Sequence, residues 1–127
     1  MADIIKADLC IIGGGSGGLS VAAGAAQMGA KCVLVEKAKM GGDCLNTGCV
    51  PSKSLLAAAH TAHDARHGAR FGIDAGEVKA DFARVHDHVH GVIASIAPHD
   101  SVERFEELGV QVISAAAEFT GPRDLIA

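Results

Sequence analysis

Two groups of residues have the types and spacing that could do chemistry. The first is Gly13, Gly15 and Gly18, which match G-x-G-x-x-G, with Glu36 following 18 residues after Gly18. Each glycine has its own reason. The first permits a tight turn out of a strand, the second lets the backbone approach a pyrophosphate, and the third lets a helix pack closely on that strand. A helix starting there offers free N–H groups and a partial positive charge to phosphates. Glu36, closing the next strand, could accept hydrogen bonds from ribose hydroxyls, and its charge would repel a 2′-phosphate. The pattern predicts a dinucleotide site. The plainer alternative for Glu36 is an ordinary acid at a strand end.

The second group is Cys44 and Cys49, spaced C-x4-C in a segment that also holds Gly41, Gly42 and Gly48. Disulfide formation needs Cα atoms about 4.4–6.8 Å apart. Five steps along a regular helix rise about 7.5 Å. The pair must therefore sit on a bent segment, with Cys44 in a loop and Cys49 near a helix start, and Gly48 permits the bend. A helix N-terminus favours a thiolate, and two neighbouring thiols there could store two electrons reversibly. Zinc ligation and two unconnected loop thiols are the alternatives. Zinc usually needs a second cysteine pair or nearby histidines, and the chain has no second pair.

These residues need elements to hold them. Ala7–Ile12 reads as a buried strand, Gly13–Gly18 as a loop, Leu19–Met28 as a helix ending at Gly29, and Lys31–Glu36 as a second strand. That order is the size and pattern of a βαβ unit. Residues 38–48 read as a loop, and Pro51 and Ser52 open a helix running to about His67. Phe82, Val85, Val89, Ile93 and Ile96 recur at helical spacing, and Pro98 ends that run. Asp100 with Glu103 resembles a capping box for a short helix closed by Gly109. Val110–Ile113 reads as a third strand. Ala115–Phe119 and Asp124–Ile126 flank a Thr-Gly-Pro-Arg turn, a hairpin signal.

Composition narrows the classes. The 127 residues carry 16 Gly, four Phe and neither Trp nor Tyr, so the core must come from Ala, Val, Ile and Leu. With a net charge of −4, a basic surface tracking nucleic acid is not expected. Leu9–Ala30 is free of charged residues, yet its seven glycines break a membrane helix, and the acidic flank does not suit a signal peptide. The expectation is a protein of the cytoplasm, independent of membranes, with reduced thiols; Cys10 and Cys32, inside apolar strands, read as buried hydrophobes. His60, His63 and His67 share a helix stripe, and His86 and His90 form a second pair with His88 pointing away. Solvated helix faces are the expected reading of both, and no metal site is assigned.

The run Gly41-Gly42-Asp43-Cys44-Leu45-Asn46-Thr47-Gly48-Cys49-Val50-Pro51-Ser52-Lys53 resembles the redox signature of the class I pyridine nucleotide-disulfide oxidoreductases. With the glycine fingerprint, the resemblance covers essentially the whole chain. It implies an α/β, Rossmann-like FAD-binding domain over 1–127, with a parallel sheet, flanking helices and the start of a hairpin or meander. Gly13, Gly15, Gly18 and Glu36 would bind the ADP half of FAD. Gly42 and Asp43 would line the flavin side of the loop; the family more often has Thr at the latter position. Cys49 would be the thiol facing the flavin, Cys44 the thiol that meets substrate, and Lys53 a neighbour of flavin N5. Electrons would pass from NAD(P)H through FAD to Cys44–Cys49 and on to a disulfide or metal-ion substrate, as in dihydrolipoamide dehydrogenase or mercuric reductase. The family also has a second nucleotide fingerprint, a later Gly-Asp motif and a homodimer interface domain. None matches residues here, so the expectation is an inactive N-terminal segment of such an enzyme. The alternative is a stand-alone nucleotide-binding or redox-sensing module without turnover.

Overall fold

The computed structural model describes residues 3–127. Three parallel strands, β1 (Leu9–Ile12), β2 (Cys32–Glu36) and β3 (Gln111–Ser114), lie in the order β1-β2-β3. The register sets Cys10 beside Val33 and Val33 beside Gln111. The central strand explains its own sequence. A strand covered on both faces is apolar throughout rather than alternating, and Cys32, Val33, Leu34 and Val35 are all buried. Helix α1 (Ser16–Gln27) connects β1 to β2 and packs Leu19 and Ala22 against the sheet. On α5 (Val102–Glu107), Phe105 completes this core together with Leu34 and Val110.

Two long helices, α3 (Cys49–Arg66) and α4 (Phe82–Ile96), pack on one another to one side. A short helix, α2 (Gly42–Asn46), precedes them. Strands β4 (Glu118–Phe119) and β5 (Leu125–Ile126) form the expected antiparallel hairpin. Asp124 closes it by accepting at its backbone carbonyl from the Thr120 and Gly121 N–H groups. The fold is α/β, a partial Rossmann-like domain with a parallel sheet and flanking helices.

Several expectations need correction. Helix α1 begins at Ser16, so Gly17 and Gly18 belong to it and not to the loop. The expected loop 38–48 contains α2, which places Cys44 on a helical turn. Helix α3 starts at Cys49, two residues before Pro51. Cys32 is buried as expected, but Cys10 is exposed, because side chains alternate along β1 and it is Ile11 that packs against the core. The cap of α5 is Ser101, whose hydroxyl accepts from Arg104 N–H at 3.2 Å; Asp100 ends the preceding turn. On α4 only Val89 is buried, and Phe82 is 73% exposed. Periodicity places residues on one stripe, but whether that stripe is covered depends on its neighbours.

Candidate functional site

Gly13 ends β1 with φ +103°, a left-handed conformation that a side chain would strain, and its N–H donates to the Val35 carbonyl at 2.8 Å. Gly15 is the N-cap of α1, and no side chain caps that helix. The first N–H groups of a helix lack intrahelical partners, so the backbone at the α1 start faces outward with donors to spare and no acid in its first turn. Gly18 is the close-packing position: a Cβ there would collide with the Gly13 carbonyl oxygen. The three fingerprint glycines thus do three different structural jobs.

Glu36, at the end of β2, is turned onto backbone. One carboxylate oxygen accepts from the Gly14 N–H at 2.6 Å and the other from the Ala38 N–H at 2.7 Å. Each oxygen keeps a second lone pair. Gly14, which the spacing rule passes over, is buried and held by this carboxylate. A Cβ on Gly14 would stand 2.9 Å from the Met40 sulfur, so a larger residue there would have to displace the Met40 side chain.

The cysteine segment docks directly on this loop. Gly41 donates its N–H to the Gly14 carbonyl at 2.8 Å. Gly42 has φ +57°, and a Cβ there would lie 2.7 Å from the Gly15 Cα. Two glycine segments nearly thirty residues apart in sequence are therefore in backbone contact. Asp43 is exposed in the first turn of α2. Cys44 stands one residue further on, half-buried, and Cys49 is exposed as the first residue of α3. The neighbouring Cys49 thiol, and after it desolvation, pushes the Cys44 pKa up. Lys53 lies one turn beyond Cys49 on the same helix face. Its charge pulls the Cys44 pKa the other way, though less strongly.

Cys44 also borders a cavity of about 390 Å³ whose wall includes Ser16, Leu45, Val50 and Arg104. The histidines gather elsewhere. His63 and His67 stack with ring centroids 4.1 Å apart, and His86 and His90 approach equally closely. Among the described residues, no group of three or more His, Cys, Asp or Glu side chains is placed to hold a metal ion. No helix among them is long and apolar enough to cross a membrane. The residue that the spacing arguments missed is Asn46, whose side chain holds the backbone of the cysteine turn. An Asn inside a glycine-rich turn was the available signal, since Asn readily bonds nearby backbone.

A family model described as pyridine nucleotide-disulphide oxidoreductase matches residues 7–122. A dihydrolipoyl dehydrogenase of Geobacillus stearothermophilus is 41% identical over 92 residues, which is 72% of this chain and 20% of that protein. One from Bacillus subtilis is 36% identical over 121 residues, 93% of this chain and 26% of that protein. A second from Bacillus subtilis is 45% identical over 89 residues, 70% of this chain and 19% of that protein. The chain spans about a fifth to a quarter of the length of these relatives. FAD and NAD(P)H are the cofactors of the family these matches define. The chain belongs to the pyridine nucleotide-disulphide oxidoreductase family.

Proposed function

We propose that residues 1–127 supply the first part of the FAD-binding domain and the redox-active cysteine pair of an NAD(P)H-dependent oxidoreductase of the dihydrolipoyl dehydrogenase type. The observation that supports this reading is the backbone contact between the Gly13–Gly15 loop and the Gly41–Gly42 turn, which brings the segment carrying Cys44 and Cys49 against the glycine loop.

The residues fit FAD. The uncapped α1 start offers N–H donors to a pyrophosphate. Open space lies where a Cβ on Gly13 or Gly17 would stand, with nothing within 4 Å. Gly13, Gly15 and Gly18 would hold the ADP half. Glu36 would turn its remaining lone pairs to the ribose hydroxyls while fixing Gly14. Gly42 and Asp43 would flank the flavin side, where the exposed Cys49 gives a ring an open face, and Lys53 would lie near flavin N5. Bound FAD would supply two-electron transfer between a nicotinamide and the cysteine pair.

The cysteines would then perform thiol–disulfide exchange. The Cys44 thiolate attacks one sulfur of a small disulfide substrate, and the other sulfur leaves as a thiolate. Cys49 next attacks the Cys44 sulfur, closing Cys44–Cys49 and releasing the second substrate thiol. The Lys53 charge partly offsets the rise in the Cys44 pKa that the neighbouring Cys49 thiol causes. In this reading the complete enzyme works as a homodimer in the cytoplasm, with the nicotinamide site and the dimer interface in other parts of the enzyme. Residues 1–127 alone would show little disulfide reductase turnover.

Flavin absorbance in the purified full-length protein tests the reading. A yellow protein should gain a long-wavelength band on two-electron reduction, and Cys49→Ser should remove it. A colourless protein that binds ADP-containing nucleotides would instead support a binding or sensing module.

A further inference from the structure

We propose that Asn46 is a positioning residue that sets the approach of Cys44 to Cys49 by clamping the backbone of residues 40–42 against the phosphate loop. This rests on the reading of the cysteine pair as a redox couple. Asn46 is the last residue of α2, two positions after Cys44 and three before Cys49. Its amide spends both hydrogens inward. Nδ2 donates to the Met40 carbonyl at 3.1 Å and to the Gly42 carbonyl at 2.8 Å. Two acceptors facing one side-chain group require the NH₂ end of the amide, so the orientation follows from the network.

Between those two carbonyls, Gly41 points its N–H the other way, to the Gly14 carbonyl. The 40–42 backbone is thus gripped from both sides, by Asn46 within the cysteine turn and by Gly14 within the phosphate loop. Gly14 is itself fixed by Glu36. A continuous hydrogen-bonded path runs from the β2 end, through the phosphate loop, to the turn that carries Cys44. Gly42 makes the clamp necessary. Its left-handed backbone and its contact with Gly15 leave α2 starting from a position that regular helical bonds do not support alone. Without Asn46, the Met40 and Gly42 carbonyls lose a partly buried donor, the turn loosens and the two sulfurs meet less often. Other side chains in the same turn lack this role. Thr47 makes only an exposed bond at 3.4 Å to the Asp43 carbonyl within its own turn.

The test equilibrates the full chain with glutathione redox buffers, traps free thiols by alkylation, and measures the mass of the tryptic peptide carrying both cysteines. In Asn46→Ala the dithiol–disulfide equilibrium should shift towards the dithiol on the order of tenfold, about 30 mV in midpoint potential. Thr47→Ala should match wild type. Melting temperature is followed in parallel, because a merely structural role would lower it without moving the redox equilibrium. If Asn46→Ala does not fold, Asn46→Asp carries the test. It keeps the shape but at neutral pH cannot donate to either carbonyl, and it should shift at least as far. An unchanged equilibrium in a folded Asn46 variant overturns the inference. A wild-type chain that forms no Cys44–Cys49 disulfide at any buffer ratio overturns the redox reading itself.

Discussion

The glycine loops around Gly14 and Gly41 and the helix pair α3–α4 are built on opposite terms. In the loops, backbone meets backbone. Gly18 has no room for a Cβ beneath the Gly13 carbonyl, Gly42 lies against Gly15, and Glu36 ties Gly14 to Ala38. Along α3 and α4, side chains stand in the open. Leu55, Leu56 and Phe82 are all exposed, the histidine rings stack on exposed surfaces, and only Ser54 and Val89 are buried. The contrast separates residues chosen for what the main chain must do from residues whose role depends on what lies next to a helix face.

Substitutions should break the two regions very differently. Gly18→Val, which drives a branched side chain into the Gly13 carbonyl, should cost about 3 kcal/mol or more in urea denaturation and abolish ADP binding. Glu36→Leu leaves the buried Gly14 N–H without its acceptor and should cost about 2 kcal/mol by the same measurement. In the helix pair, Phe82→Ser should stay within about 0.5 kcal/mol of wild type, because the ring it removes is mostly in solvent. An effect as large as that of Glu36→Leu would mean that α4 is covered.

A finer prediction concerns protonation. The Cys49 thiol beside Cys44 raises the Cys44 pKa, so the neutral thiol is favoured and alkylation of Cys44 should turn on above the ordinary thiol range of about 8.5. Cys49→Ala removes that neighbouring thiol, so the midpoint of the Cys44 alkylation profile should move down. Lys53→Gln removes the opposing charge and should move it up. A profile unmoved by either change would mean that neither Cys49 nor Lys53 acts on Cys44.

The sequence was most legible where backbone geometry dictates residue type. A positive φ at Gly13, a missing Cβ at Gly18 and an acid at the end of β2 leave few other choices, so spacing alone pointed to them. The βαβ order and the final hairpin followed from apolar runs and turn residues. Legibility failed where a tertiary neighbour decides. Cys10 is exposed because Ile11, on the other face of β1, is the residue that meets the core, which no property of Leu9–Ile12 reveals. Ser101 rather than Asp100 caps α5, since the residues around Pro98 take up the preceding turn. Helix α2 escaped the reading because its five residues, opened by glycines, show no period of their own. Asn46 escaped because its work is done through carbonyls, which every residue carries.

The most direct test of the central claim is turnover by the full-length protein bearing Cys49→Ser. We predict that reduction of a small disulfide by NAD(P)H is lost while reduction of the bound flavin by NAD(P)H persists. Wild-type disulfide turnover in that variant would contradict the assignment of the Cys44–Cys49 pair as the site of exchange.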